Sequence, residues 1–256
     1  MKRILSITVF FVVLTGFILV SMNLSFSGPQ EQVKAKNPGQ AVLQTNPDGS
    51  GAELEIIFKK GESHNHPLMA VWVEDTTGKY IQTLYVAKSI ASGIFNYGDN
   101  SSGTWTQGEV RRPAALPYWG HKRGDRAPDG LYLPTPANPV PDAYTGATPT
   151  GDFRLETRLD KNGPDVYDVL LEINQSWDWN EYWTNNKYPD DEDYKSSSQP
   201  AVVYQARVGM NDTIKEFPMK FIGHSHYSGK TGELFTETNS LTTALDIADE
   251  IVVKVK

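Results

Sequence analysis

The sequence predicts an all-β domain, an immunoglobulin-like antiparallel β-sandwich with long loops and little helix. Three observations carry that expectation. There are about eight short segments of strand length, turn signals separate them, and apolar and charged side chains alternate in the arm 153–159.

The chain of 256 residues opens with Met1, Lys2 and Arg3 ahead of an uncharged apolar run over 4–22. A basic start followed by an apolar stretch is the pattern of a secretory signal, and its length also approaches the roughly 20 residues that cross a bilayer as a helix. Ser25 and Ser27 offer small residues to a signal peptidase, and Gly28-Pro29 would end a continuing helix. Residues 1–27 are therefore expected to be a signal peptide or an N-terminal anchor, the only segment that would touch a membrane. The remainder is expected in the periplasm or on the extracytoplasmic face.

The chain has no cysteine, so neither a lipid thioether nor a disulfide is available, and stability must come from the apolar core. Residues 28–51, rich in Pro, Gly, Gln and Asn, read as a linker, and 52–256 as a single domain. With 24 basic against 31 acidic side chains and no basic stripe, nucleic acid is not an expected partner.

Residues 54–58, 68–74 and 80–86 read as a β-meander whose second turn is Asp75-Thr76-Thr77-Gly78-Lys79. A second hairpin is expected from 151–159 and 167–173 around Asp160-Lys161-Asn162-Gly163, and further strands at 201–208, 214–222 and 251–255. Short helical turns are expected at 241–247, capped by Ser240, and at 87–94. Between the hairpins, residues 96–149 form a long region rich in Gly and Pro. Loops of that length are functional or disordered, and Trp105, Tyr118 and Trp119 argue for order.

The sharpest chemical signal is Asp142-Ala143-Tyr144-Thr145-Gly146-Ala147-Thr148. It fits the pattern Asp-x-x-(Ser/Thr)-Gly-Ala-(Ser/Thr) of sites that receive covalent flavin mononucleotide (FMN), where a flavin transferase joins the flavin's phosphate to the last hydroxyl. An acceptor needs a hydroxyl, here Thr148, and small neighbours such as Gly146 and Ala147 let another protein's active site reach the backbone. The alternative reading is a plain turn feeding the strand at Phe153, with Asp142, Thr145 and Thr148 bonding local backbone.

Four of the five histidines form His-x-His pairs, His64 with His66 and His224 with His226. On strands, each pair would share a face, and two such pairs with His121 or a carboxylate would suit zinc or copper. Trp177, Trp179, Tyr182 and Trp183 follow a strand directly and, with Trp119, are candidates for a ligand-binding surface. Alternatively, they plug the end of the sandwich. The run Asp190-Asp191-Glu192-Asp193 lacks the spacing of a calcium loop. The common signatures of hydrolases, nucleotide-binding proteins and metalloproteases are missing, which disfavours a self-contained enzyme.

Several segments together resemble a bacterial family of predicted periplasmic proteins, the domain of unknown function 2271 family. They are Ala70-Val71-Trp72-Val73-Glu74-Asp75 with Gly78-Lys79-Tyr80, Trp119, the 142–149 motif and the 167–172 strand. Gly229-Lys230-Thr231-Gly232-Glu233-Leu234 and Leu241-Thr242-Thr243-Ala244 complete the set. The resemblance implies export and companionship with flavin transferases and membrane-bound electron-transfer proteins, with no established catalytic role. Gly151-Asp152-Phe153-Arg154-Leu155 is also similar to the immunoglobulin-like module of flagellar hook-assembly proteins, a likeness of fold alone. The expectation is a non-catalytic accessory protein of extracytosolic flavin-linked redox chemistry. Its alternatives are a binding scaffold with a tryptophan-rich edge and a small histidine-ligated metalloprotein.

Overall fold

A computed structural model describes residues 40–256; the expected targeting segment 1–27 lies outside the described residues. In chain order the elements are β1 (Ala41–Gln44), β2 (Glu53–Lys60), β3 (Leu68–Asp75), β4 (Tyr80–Ala87), α1 (Lys88–Ser92), β5 (Ile94–Asp99), β6 (Thr106–Glu109) and α2 (Pro117–Arg123). There follow β7 (Thr145–Gly146), β8 (Phe153–Arg158), β9 (Val166–Asn174), α3 (Glu192–Ser197), β10 (Val202–Gly209), β11 (Glu216–Pro218), β12 (Lys220–His224) and β13 (Ala248–Val255). Among the described residues no helix is long and apolar enough to cross a membrane.

The fold is all-β, built on two main sheets. One runs β1-β8-β2-β13-β11, the other β12-β10-β9-β3-β4-β7, and β5 and β6 form a separate ribbon. The pairing is mixed, not wholly antiparallel, because the short edge strands β1 and β7 pair parallel with β8 and β4. β1 falls inside the stretch expected to be a linker. Its Ala41, Val42 and Leu43 carry too little pattern to announce a strand, and long-range pairing with Phe153, Arg154 and Leu155 makes it one.

The first core fills the space between the sheets with Leu54, Ile56 and Phe58 from β2, Met69, Val71 and Val73 from β3, Val169, Leu171 and Ile173 from β9, and Ile251 and Val253 from β13. The second core lies on the far side of the six-stranded sheet. There Ala70 and Trp72 of β3, Leu170 of β9 and Val203 of β10 pack against Ala115, Leu116 and Trp119. Large apolar side chains of this kind each stabilise the fold by about 1.5–3 kcal/mol when fully buried. The 96–149 region is thus an ordered cover over the sheet.

Three sequence expectations change. The β8 and β9 segments flank a turn but join different sheets, as do β2 and β3, so β3 with β4 is the true hairpin of the meander. The reason is exposure: β8 buries alternate residues only, which suits a sheet with one wet face, whereas β9 is buried along almost its whole length. The expected strand 214–222 breaks at Met219, with β11 pairing β13 and β12 pairing β10. The helix expected at 241–247 is a short 3₁₀ turn, Thr243–Asp246.

Burying the outer face of the six-stranded sheet traps polar groups, and each finds a partner. Glu172 on β9 is fully buried and accepts from the backbone N–H of Tyr118 at 3.1 Å and of Trp119 at 2.7 Å, which caps the first turn of α2. Glu74 accepts from the Trp72 indole at 2.8 Å and from Lys122 at 3.1 Å, and Asp168 takes both arms of Arg207 at 2.9 Å.

Burial pushes the Glu172 carboxyl up to about 8, against the two N–H groups that favour its ionised form. The folded state therefore holds this proton more tightly than the unfolded chain. The stability it confers is complete below the ordinary glutamate range and is lost as pH rises through about 8. The thermal midpoint of the wild type should fall between about pH 5 and about pH 9. In Glu172→Gln, which cannot ionise, that slope should shrink, while one misdirected N–H lowers stability at about pH 5 by about 1–3 kcal/mol. Equal slopes for the two proteins would refute this account.

Candidate functional site

The pairing register gathers the candidate residues at one end of the six-stranded sheet. Gly146 aligns with Ala87, Val86 with Ala70, Met69 with Ile173, Ile173 with Val202, and Val202 with His224. Beyond that row emerge the 147–149 segment, the loop holding His64 and His66, the 175–183 aromatic segment, and His226.

In the flavin-type motif, Asp142 begins a short 3₁₀ turn and its carbonyl accepts from the Thr145 hydroxyl at 3.3 Å. Thr145 and Gly146 are buried and form edge strand β7. The buried Tyr85 ring lies so close that a Cβ on Gly146 would sit 2.9 Å from its Cε2, and its hydroxyl donates to the carbonyls of Gly146 at 3.3 Å and Ala147 at 3.0 Å. Ala147 is exposed and Thr148 half-buried. On the far side, His64 Nε2 lies 3.2 Å from the Pro149 carbonyl. Thr145 is thus consumed by the fold, whereas the Thr148 hydroxyl makes no hydrogen bond with the described residues. The chain is pinned on either side of it.

The histidine pairs do not form the face expected of them. His64 and His66 lie in the loop before β3, and His226 lies beyond β12, so two-residue strand periodicity does not apply. The ring nitrogens of His64 lie against the carbonyls of Ile247 and Pro149. His66 is exposed beside Asn65, while His121 Nδ1 meets the Pro117 carbonyl and His224 Nδ1 that of Ser225. His226 Nδ1 accepts from Ser228, and burial holds its pKa below the ordinary histidine value. Among the described residues no three His, Cys, Asp or Glu side chains come together as a metal site.

The aromatic candidates divide by burial. Trp119 is fully buried in the second core and donates to Thr83 at 3.0 Å, so it is a core residue and not part of a ligand surface. Trp183 is also buried, against Tyr194 and Tyr227, and Trp179 is half-buried, its ring edge-on to that of Tyr194. Trp177 and Tyr182 are exposed. The acidic run is structural: Asp191 caps α3 through the Tyr194 N–H and pairs with Lys230 at 2.7 Å.

Sequence reasoning missed Tyr85, which holds the motif, and Arg112, whose guanidinium lies 4.8 Å from the Phe95 ring centroid and 5.5 Å from that of Trp177. Arg111-Arg112-Pro113 was visible only as a basic pair inside a long loop.

Gly146→Ala should destabilise the domain by about 1–3 kcal/mol, because the buried Tyr85 ring has no room to retreat from a new methyl group. Chemical denaturation measures this directly, and an unchanged midpoint would count against the close packing. No family model, curated protein or solved structure matches the chain.

Proposed function

We propose that this chain is an exported, non-catalytic accessory protein of extracytosolic flavin-linked redox chemistry that carries FMN covalently on Thr148. One observation supports the reading above others: within a segment anchored by Tyr85 and His64, Thr148 alone has a hydroxyl that the fold does not use, at the exit of an edge strand. The exposed Ala147 beside it leaves the backbone open to a transferase.

Attachment forms an ester bond between Thr148 Oγ1 and the flavin's phosphorus. It breaks a phosphoanhydride bond in an activated flavin nucleotide, the leaving phosphate takes the electron pair, and the transferase's base removes the threonine proton. The ring then exchanges electrons with a membrane electron-transfer protein. The two-sheet scaffold, with chain crossings from β2 to β3 and from β8 to β9, we read as immunoglobulin-like.

Co-expression with a flavin transferase followed by intact-mass measurement tests the assignment. The wild type should gain one FMN less one water, Thr148→Ala should gain nothing, and Thr150→Ala, altering the neighbouring exposed hydroxyl, should behave as wild type. An unmodified wild type, or a modified Thr148→Ala, would overturn it.

A further inference from the structure

We propose that Arg112 and Trp177 form a binding site for an oxyanion carried on a flat aromatic ring system. The site stands without the flavin assignment at Thr148.

Arg112 is half-buried, and among the described residues no carboxylate pairs with it. Its Nη1 donates to the Ser176 hydroxyl at 2.5 Å, while its Nε is buried without a partner. That leaves the edge made by Nε and Nη2, the fork that takes two oxygens of a carboxylate or phosphate. Burial works against the guanidinium's charge, and among the described residues no carboxylate offsets it.

The rings beside it complete the argument. The guanidinium lies 4.8 Å from the Phe95 ring centroid and 5.5 Å from that of Trp177. Trp177 is 62% exposed and held at φ 59°, a left-handed conformation that a bulky side chain rarely adopts. The loop fixes it there, with Trp177 N–H donating to Ser196 O at 3.3 Å and Asp178 N–H to Ser197 O at 3.1 Å. Strain of this kind persists where the surroundings over-determine the backbone, and it clusters at ligand sites. A neutral sugar would leave the arginine unpaired, and a bare inorganic anion would leave the indole uncovered. An aromatic oxyanion satisfies both, since the exposed indole leaves a ring face uncovered beside the fork. Two sources share this chemistry: a flavin tethered at Thr148, at the same end of the sheet, whose ring carries an anion over N1 and the C2 oxygen once it is reduced, or a free aromatic acid.

Calorimetric titration of the Thr148→Ala protein with 2-naphthoate tests the site. One saturable site is expected, with 2-naphthalenemethanol and acetate each weaker by about tenfold or more. Trp177→Ala and Arg112→Gln should each weaken naphthoate by a similar factor, and Arg112→Lys, which keeps the charge without the fork, should not restore it. Circular dichroism of each variant establishes that it is folded. No saturable binding, or equal affinity in folded Arg112→Gln, would overturn the proposal. With protein bearing reduced flavin on Thr148, loss of the naphthoate site assigns the tethered ring as occupant and retention assigns a free ligand; both outcomes require the site. Should no flavin attach, the naphthoate titration still decides it.

Discussion

The constraint on which this structure depends is that the centre of its six-stranded sheet, β3 and β9, is buried on both faces. In β3 every residue from Leu68 to Glu74 is buried, odd positions toward one core and even positions toward the other. A sheet so covered cannot leave a polar group on its outer face to solvent, because an unpaired buried group costs about 1–3 kcal/mol. Glu74 and Glu172 therefore dictate what lies over them, Lys122 and the start of α2, while Asp168 is paired by Arg207 from the neighbouring strand β10. The 96–149 region keeps its path because it must cover Trp72 and present N–H groups to Glu172.

That constraint also separates what the sequence discloses from what it hides. Strand positions are legible: β2, β3, β4, β8, β9, β10 and β13 lie within a few residues of their expected places, since two-residue alternation and turn residues are local signals. Sheet membership is not local. The turn at 160–163 looks like a hairpin turn, but the unbroken apolar run of β9 and the charge alternation of β8 place them in differently covered sheets. The same unbroken run in Leu68-Met69-Ala70-Val71-Trp72-Val73 was the available sign of double burial, and it implies that Trp119 in the long loop is part of a cover.

The candidate site was legible in its residues and hidden in its geometry. Asp142, Gly146 and Thr148 are marked by motif, yet the need for glycine at 146 comes from Tyr85, which is 61 positions away. The histidine pairs mislead because the argument from strand periodicity fails where a strand ends, as at His224. Arg112 has no motif at all. Its interest comes from a missing partner, and a missing partner exists only in three dimensions.

The acceptor role proposed for Thr148 has a mechanical logic. Tyr85 holds the carbonyls of Gly146 and Ala147 from the sheet side, and His64 lies against that of Pro149 from the loop between the two sheets. A group attached between these two points transmits little force to either core, because the bonds that anchor the segment run through its backbone and not through the Thr148 side chain. Thr145 could not serve in the same way. Its hydroxyl closes the turn begun by Asp142, and its backbone is paired with β4, so a bulky ester there would break the edge strand that positions the motif. The spacing from Thr145 to Thr148 therefore divides labour between a residue that builds the platform and one left free to be used.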